Sequence, residues 1–169
     1  LEDYQQAFVL KEGETVTALE KTDTGFRATT ATGQTYDGKT VLLATGSEHR
    51  ALNVPGEKKL YGRGVTYCAT CDAPLFRNRV VFVIGVGNSA MDAAKKKKKY
   101  ADRVTVVTVN ASLKGDEIMQ KKINASSKIR VKPLTKVIEI MGEKNVTGIK
   151  LQTMDGAESI EVADGVCIE

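Results

Sequence analysis

The sequence predicts an α/β fold in three layers, and three observations carry that expectation. The apolar run Val80-Val81-Phe82-Val83-Ile84 has the continuous character of a parallel strand buried on both faces. It feeds into Gly85-Val86-Gly87-Asn88-Ser89-Ala90, then into a helix-forming stretch, a second apolar strand and a second helix, a β-α-β-α alternation. Short strands separated by turn residues flank this unit on both sides. Together these describe a Rossmann-like three-layer nucleotide-binding domain with a β-meander.

In chain order, Leu1 to Lys11 is expected to be helical and to end near Gly13. Val16 to Lys21, Gly25 to Thr30 and Thr40 to Ala44 are expected to be strands, with Asp-Thr-Gly and Asp-Gly at the turns between them. An irregular stretch containing Pro55-Gly56-Glu57 follows. The central unit comprises strand Val80 to Ile84, a helix from Ser89 to about Tyr100, strand Val104 to Val109 and a helix from Asp116 to about Asn124. Arg130 to Val131, Leu134 to Met141, Val146 to Thr153 and Ser159 to Val162 complete a closing meander. A first unit thus ends at Ala44-Thr45-Gly46, and a second begins after the irregular stretch.

Composition narrows the function. The chain of 169 residues is 41% hydrophobic and 27% charged, ordinary for an α/β protein. No apolar stretch approaches a membrane span and no secretory leader is visible, so a cytoplasmic protein without a membrane partner is expected. The formal net charge of +4 comes from one run: without Lys95 to Lys99, 20 basic residues face 21 acidic ones. No aromatic residues interleave with that run, so nucleic acid is not an expected partner. At 3.6 residues per turn, five consecutive lysines in a helix cannot all face water; one or two must point at the core or run their stems along a partly open face.

The three cysteines are Cys68, Cys71 and Cys167. Zinc would need two ligands beyond the C-x-x-C pair, and only Cys167 and the single His49 remain, so no metal is expected. Cys68-Ala69-Thr70-Cys71-Asp72 instead has the form of a redox dithiol that closes a disulfide. If Cys68 starts a helix, the helix N-terminus favours its thiolate, and Asp72 is placed to pass a proton. Cys167, in Gly165-Val166-Cys167-Ile168, is expected in the core, and His49 in a loop without a catalytic role.

Gly85-x-Gly87-x-x-Ala90 follows a strand and opens a helix, the context in which a glycine turn holds a dinucleotide. Gly85 permits the tight turn, Gly87 lets backbone approach a pyrophosphate, and Ala90 allows close packing of helix on strand. Asn88 and Ser89 open the helix whose free N–H groups face the phosphates. After the next strand, Thr108-Val109-Asn110-Ala111-Ser112-Leu113-Lys114 contains no acid. Asn110 and Ser112 are candidates for a ribose 2′-hydroxyl and Lys114 for a 2′-phosphate, so NADPH and NADH both stay open.

With these residues in view, the chain resembles low-molecular-weight thioredoxin reductase. Cys68-Ala69-Thr70-Cys71-Asp72, the glycine turn, Ala44-Thr45-Gly46, Pro55-Gly56-Glu57, Gly62-Arg63-Gly64-Val65 and Ile118-Met119-Gln120 carry the resemblance, which covers nearly the whole chain. It implies a homodimeric, two-domain FAD enzyme, a thioredoxin reductase-like NAD(P)H disulfide oxidoreductase, with 1–50 an incomplete inner piece of the FAD-type domain, 51–163 the NAD(P)-binding domain carrying the dithiol, and 164–169 the return into the FAD domain. Ala44, Thr45 and Gly46 would then serve the cofactor site of the FAD domain. By position, Cys71 would face the flavin, Cys68 would attack the disulfide of thioredoxin or a similar protein, and Asp72 would be the acid. The resemblance also implies domain rotation, with hinges near Pro55-Gly56 and Ala163-Asp164.

Three departures qualify this. The family's FAD-binding glycine motif and its closing Gly-Asp segment are absent from this chain, which resembles the middle of such an enzyme and should by itself bind FAD poorly. The family's His-Arg-Arg signature is replaced by Thr108-Val109-Asn110. The family has apolar residues within the Lys95 to Lys99 stretch. A fourth, lesser change is Ala73 for the usual glycine. Two other readings remain: a peroxiredoxin-reducing flavoprotein related to that of alkyl hydroperoxide reductase, which would carry a thioredoxin-like domain upstream, and a non-catalytic nucleotide-binding module.

Overall fold

The computed structural model describes residues 9–46 and 49–169, which form two units divided between Ser47 and Glu48. The helix expected over Leu1 to Lys11 falls mostly outside the described residues; 9–11 are not helical.

The first unit is a three-stranded antiparallel sheet in the order β1 (Val16–Thr22), β2 (Gly25–Thr30), β3 (Thr35–Gly38). Two of its strands match the expected ones. The third does not: Val41, Leu42 and Leu43 are apolar but exposed and in no strand, and Thr35–Gly38 pairs with β2 instead. The reason is the turn. Thr30 N–H donates to the Gln34 carbonyl at 2.9 Å and Gly33 N–H to the Thr30 carbonyl at 3.0 Å, so the chain reverses before Thr35. Gly33, with φ +84°, takes the left-handed conformation this turn needs.

The second unit is built on a five-stranded sheet whose paired strands run parallel, in the order β4 (Val65–Thr66), β11 (Gly165–Ile168), β5 (Val80–Ile84), β6 (Arg103–Val107), β7 (Ile129–Lys132). Helices α1 (Asn88–Lys97) and α2 (Glu117–Asn124) follow β5 and β6. A separate antiparallel sheet joins β8 (Thr135–Met141), β9 (Gly148–Thr153) and β10 (Glu158–Val162).

Alternation along β5 explains the layers. Val81 and Val83 pack with Met91, Ala94, Val104, Val106 and Ile123, joining the helices to the sheet. Phe82 and Ile84 pack with Ile140, Ile149, Leu151 and Val166, joining the antiparallel sheet to the opposite face. The continuous apolar run is thus consumed on both faces, and each such side chain contributes about 1.5–3 kcal/mol by leaving water. The expected α/β three-layer arrangement with its meander is the one observed.

Two boundary expectations meet specific geometry. Residues 165–168, expected to return into the first domain, form β11 between β4 and β5. Pro55-Gly56, expected near a hinge, is tied to β8: the Pro55 carbonyl accepts from Ile140 N–H at 2.9 Å, and a Cβ on Gly56 would lie 1.8 Å from the Ile140 carbonyl oxygen.

Candidate functional site

Cys68 and Cys71 are joined as a disulfide with their Cα atoms 5.6 Å apart. Cys68 does not start a helix, so the condition for a helix N-terminus at its thiol is not met. It lies in a turn, and a short 3-10 helix, Ala73–Phe76, begins only after Asp72. Pro74 accounts for this late start, since it lacks an N–H and fits the first turn of a helix. The service expected of a helix N-terminus is supplied by the turn: Cys71 N–H donates to Cys68 Sγ at 3.0 Å. A donor aimed at this sulfur favours its thiolate once the bond opens.

The short strand β4 fixes the acid. Thr66 is buried, and its hydroxyl donates to Asp72 Oδ2 at 2.5 Å while accepting from Cys68 N–H at 3.0 Å. One hydroxyl therefore holds both the carboxylate and the backbone of the first cysteine. Cys68, Cys71 and Asp72 line a single cavity of about 350 Å³ with Thr66, Tyr67, Tyr61 and His49. His49, which had no expected role, stacks on Tyr67 with ring centroids 4.8 Å apart.

Behind Tyr67 lies Glu57. Its buried carboxylate accepts from Tyr67 Oη at 2.7 Å and from the N–H groups of Leu52, Asn53 and Val54. Burial pushes this carboxyl up, but the Tyr67 hydroxyl and the three backbone donors outweigh it and hold it below the usual range. Burial, together with the hydrogen bond to Glu57, pushes the Tyr67 phenol up to about 12. The Pro55-Gly56-Glu57 motif thus anchors the wall of the dithiol cavity.

The glycine turn has the shape its spacing implies. A Cβ on Gly85 would lie 2.8 Å from Ala90 Cβ and 3.0 Å from the Glu169 carbonyl, so only glycine lets β5, α1 and β11 meet here. A Cβ on Gly87, the N-cap of α1, would meet nothing within 4 Å. That open side leaves backbone accessible to a phosphate. A cavity of about 420 Å³ at the C-terminal ends of β5, β6 and β11 brings together Gly85, Val86, Thr108, Asn110 and Glu169. This is where a parallel α/β sheet receives its ligand, outside the carboxyl ends of strands flanking a reversal of strand order. The residues present therefore fit a nicotinamide nucleotide.

Other predicted residues are placed differently. The Asn88 side chain accepts from Asp116 N–H at 2.9 Å, tying the glycine turn to the start of α2. Ser89 is exposed on the first turn of α1. Lys114 holds the turn through its backbone, donating to the Val86 carbonyl at 2.9 Å, with its side chain exposed. Arg50 and Lys136 line the nucleotide cavity and were not foreseen. Ala44, Thr45 and Gly46 belong to the first unit, in an exposed stretch without regular structure, and by themselves they enclose no flavin.

Among the described residues, no group of three or more metal-ligating side chains is found, and no helix is long and apolar enough to cross a membrane. Burial pushes the Cys167 thiol up to about 12, opposed by nearby Lys97 and reinforced by Glu169, as befits a core cysteine.

The chain is similar to known proteins in sequence and in fold. The profile described as Pyridine nucleotide-disulphide oxidoreductase matches residues 2–169. Thioredoxin reductase of Listeria monocytogenes is 43% identical over 145 residues, 85% of this chain and 46% of that protein. An alkyl hydroperoxide reductase component of Staphylococcus aureus is 38% identical over 154 residues, 90% of this chain and 30% of that protein. The crystal structure of thioredoxin reductase from T. acidophilum superposes with a TM-score of 0.73 at 34% identity, covering 99% of this chain and 55% of that one. The chain thus spans about half or less of the length of these relatives. With its dithiol turn beside a parallel-sheet nucleotide fold, it belongs to the pyridine nucleotide-disulphide oxidoreductase family and is thioredoxin reductase-like, as a part of such a protein.

Proposed function

We propose that the protein carrying this chain is a thioredoxin-disulfide reductase, in which Cys68 and Cys71 pass electrons to the disulfide of thioredoxin or a similar protein. The observation that carries the reading is the cavity shared by Cys68, Cys71 and Asp72, in the same unit as a glycine turn fitted to a nicotinamide nucleotide. FAD, when bound by the complete protein, would supply two-electron carriage between that nucleotide and the disulfide. The chain's own residues do the rest. Opening the S–S bond leaves Cys68 as the thiolate beside Cys71 N–H, and Cys68 attacks the acceptor disulfide. The Cys71 thiol then gives its proton to Asp72, held by Thr66, and attacks Cys68 Sγ; the mixed disulfide breaks, and Asp72 passes that proton to the departing thiolate of the acceptor. A cytoplasmic homodimer and domain boundaries at the links between units accompany this reading.

The nucleotide is NADPH or NADH. Asn110 lies in the cavity, Lys114 stands exposed after it, and Arg50 and Lys136 add cations to the cavity wall. The visible absorbance spectrum of the purified protein, taken before and after anaerobic addition of NADPH and then NADH, tests the reading. A flavin band that one nucleotide bleaches supports it and names the donor. Absence of flavin from the full-length protein overturns it.

The alkyl hydroperoxide reductase relative favours a second reading, in which the acceptor is a peroxiredoxin. Comparing reduction rates with thioredoxin and a peroxiredoxin as acceptors separates the two.

A further inference from the structure

Lys97 is the third lysine of the run, and it lies on the core side of α1, fully buried. Its Nζ donates to the Cys68 carbonyl at 3.3 Å and lies 3.5 Å from the Ala69 carbonyl, with the Phe76 ring centroid at 5.1 Å. The neighbouring Lys96 pairs with Asp92 at 2.6 Å and donates to Thr70 Oγ1 at 2.8 Å. Two successive lysines of α1 therefore grip the dithiol loop, but only one is neutralised. None of the ion pairs among the described residues includes Lys97.

We propose that Lys97 is a positioning residue for the dithiol: its buried ammonium, held on the carbonyl oxygens of the loop, favours the reduced form of the Cys68–Cys71 pair. The inference rests on the redox reading above and deepens it. The oxidised pair is neutral. Two electrons and one proton from a dithiol or reduced-flavin donor break the S–S bond and leave a thiolate on Cys68 and a thiol on Cys71. The ammonium therefore acts differently on the two states, stabilising the one that carries negative charge. It lies on the carbonyl of the residue whose sulfur bears that charge, and solvent does not screen it there. Asp92, on the same helix, is paired with Lys96; of the acids beyond α1, Asp72 on the loop is held by Thr66, Glu169 accepts from the Cys167 thiol at 3.4 Å, and Glu117 is exposed at the start of α2.

The test is the reduction potential of the pair in the full-length protein. It is read by equilibration in dithiothreitol redox buffers, acid quench, alkylation and mass spectrometry. Lys97→Met and Lys97→Gln are expected to be about tenfold harder to reduce, close to 30 mV more negative. Alkylation of reduced Cys68 at neutral pH should slow by a similar factor. Lys97→Arg, which keeps the charge, and Lys99→Met, which removes an exposed one, should stay within about threefold of wild type. A potential within about twofold of wild type in a folded Lys97→Gln or Lys97→Met protein overturns the proposal. If neither neutral variant folds, wild-type Cys68 decides: it should alkylate about tenfold faster than free cysteine, and an equal or slower rate overturns the proposal. A pair that equilibrates yet never reduces thioredoxin sinks the functional reading and leaves this inference standing.

Discussion

The Thr66 hydroxyl donates to the Asp72 carboxylate at 2.5 Å and accepts from Cys68 N–H at 3.0 Å, so one buried side chain orients both the acid and the first cysteine. Thr66→Val keeps the shape of β4 and removes both bonds. Turnover with thioredoxin is expected to fall about tenfold, or ~1.4 kcal/mol in the barrier, while the melting midpoint moves little. Asp72→Asn should cost about 10²-fold in turnover. Steady-state kinetics beside thermal melts check both.

Removing either sulfur separates chemistry from binding. Cys68→Ser is expected to abolish disulfide reduction and leave nicotinamide nucleotide affinity within about twofold, since the two cavities are lined by different residues. Cys71→Ser should trap a mixed disulfide through Cys68. Titration of the nucleotide and mass spectrometry of the thioredoxin adduct read these outcomes; unchanged turnover in Cys68→Ser would remove the dithiol from the reaction.

The glycine turn makes the reverse prediction. A methyl at Gly85 meets Ala90 Cβ at 2.8 Å and the Glu169 carbonyl at 3.0 Å, which forces β5 and α1 apart. A side chain at Gly87 projects into open space and blocks only the approach of a phosphate. Gly87→Val should therefore weaken nucleotide binding about tenfold or more without unfolding the protein, and Gly85→Ala should lose both affinity and about 1–3 kcal/mol of stability. Calorimetric titration and denaturant melts distinguish the two.

Glu57 and Tyr67 give the wall of the dithiol cavity a two-sided pH dependence. The Glu57 carboxyl is held below its usual range in the fold, so its contribution is complete above the unfolded value and is lost as pH falls through the folded one. The Tyr67 phenol is raised from 10.0 to about 12, so its contribution is complete below 10 and is lost as pH climbs towards 12. Glu57→Gln should lower stability at neutral pH by about 1–3 kcal/mol and flatten the acid limb. Urea melts across pH measure this.

What was legible in the sequence was what local pattern encodes. Val80 to Ile84 and the glycine turn announced themselves because burial on both faces and a phosphate-sized gap demand particular residues at fixed spacing. The inward lysine followed from helical period alone, and Lys97 is that residue. What was not legible depends on distant partners. Val65 and Thr66 form a strand only because Val166 and Cys167 lie beside them, so nothing local marked Thr66 as the holder of Asp72. The same holds for Arg50 and Lys136, brought to the nucleotide cavity from distant parts of the unit. Val41 to Leu43 have the apolar character of a strand but no partner to pair with among the described residues, because the turn at Gly33 commits Thr35–Gly38 to β2.

The central claim is that electrons leave the Cys68–Cys71 pair for a partner disulfide. Its most direct test mixes the fully reduced protein, freed of reductant, with oxidised thioredoxin, and alkylates both at timed intervals. The account predicts that Cys68 and Cys71 lose their alkylatable thiols together while thioredoxin gains the same number. Cys68 and Cys71 remaining alkylatable while thioredoxin stays oxidised, or thioredoxin reduced without them, would contradict it.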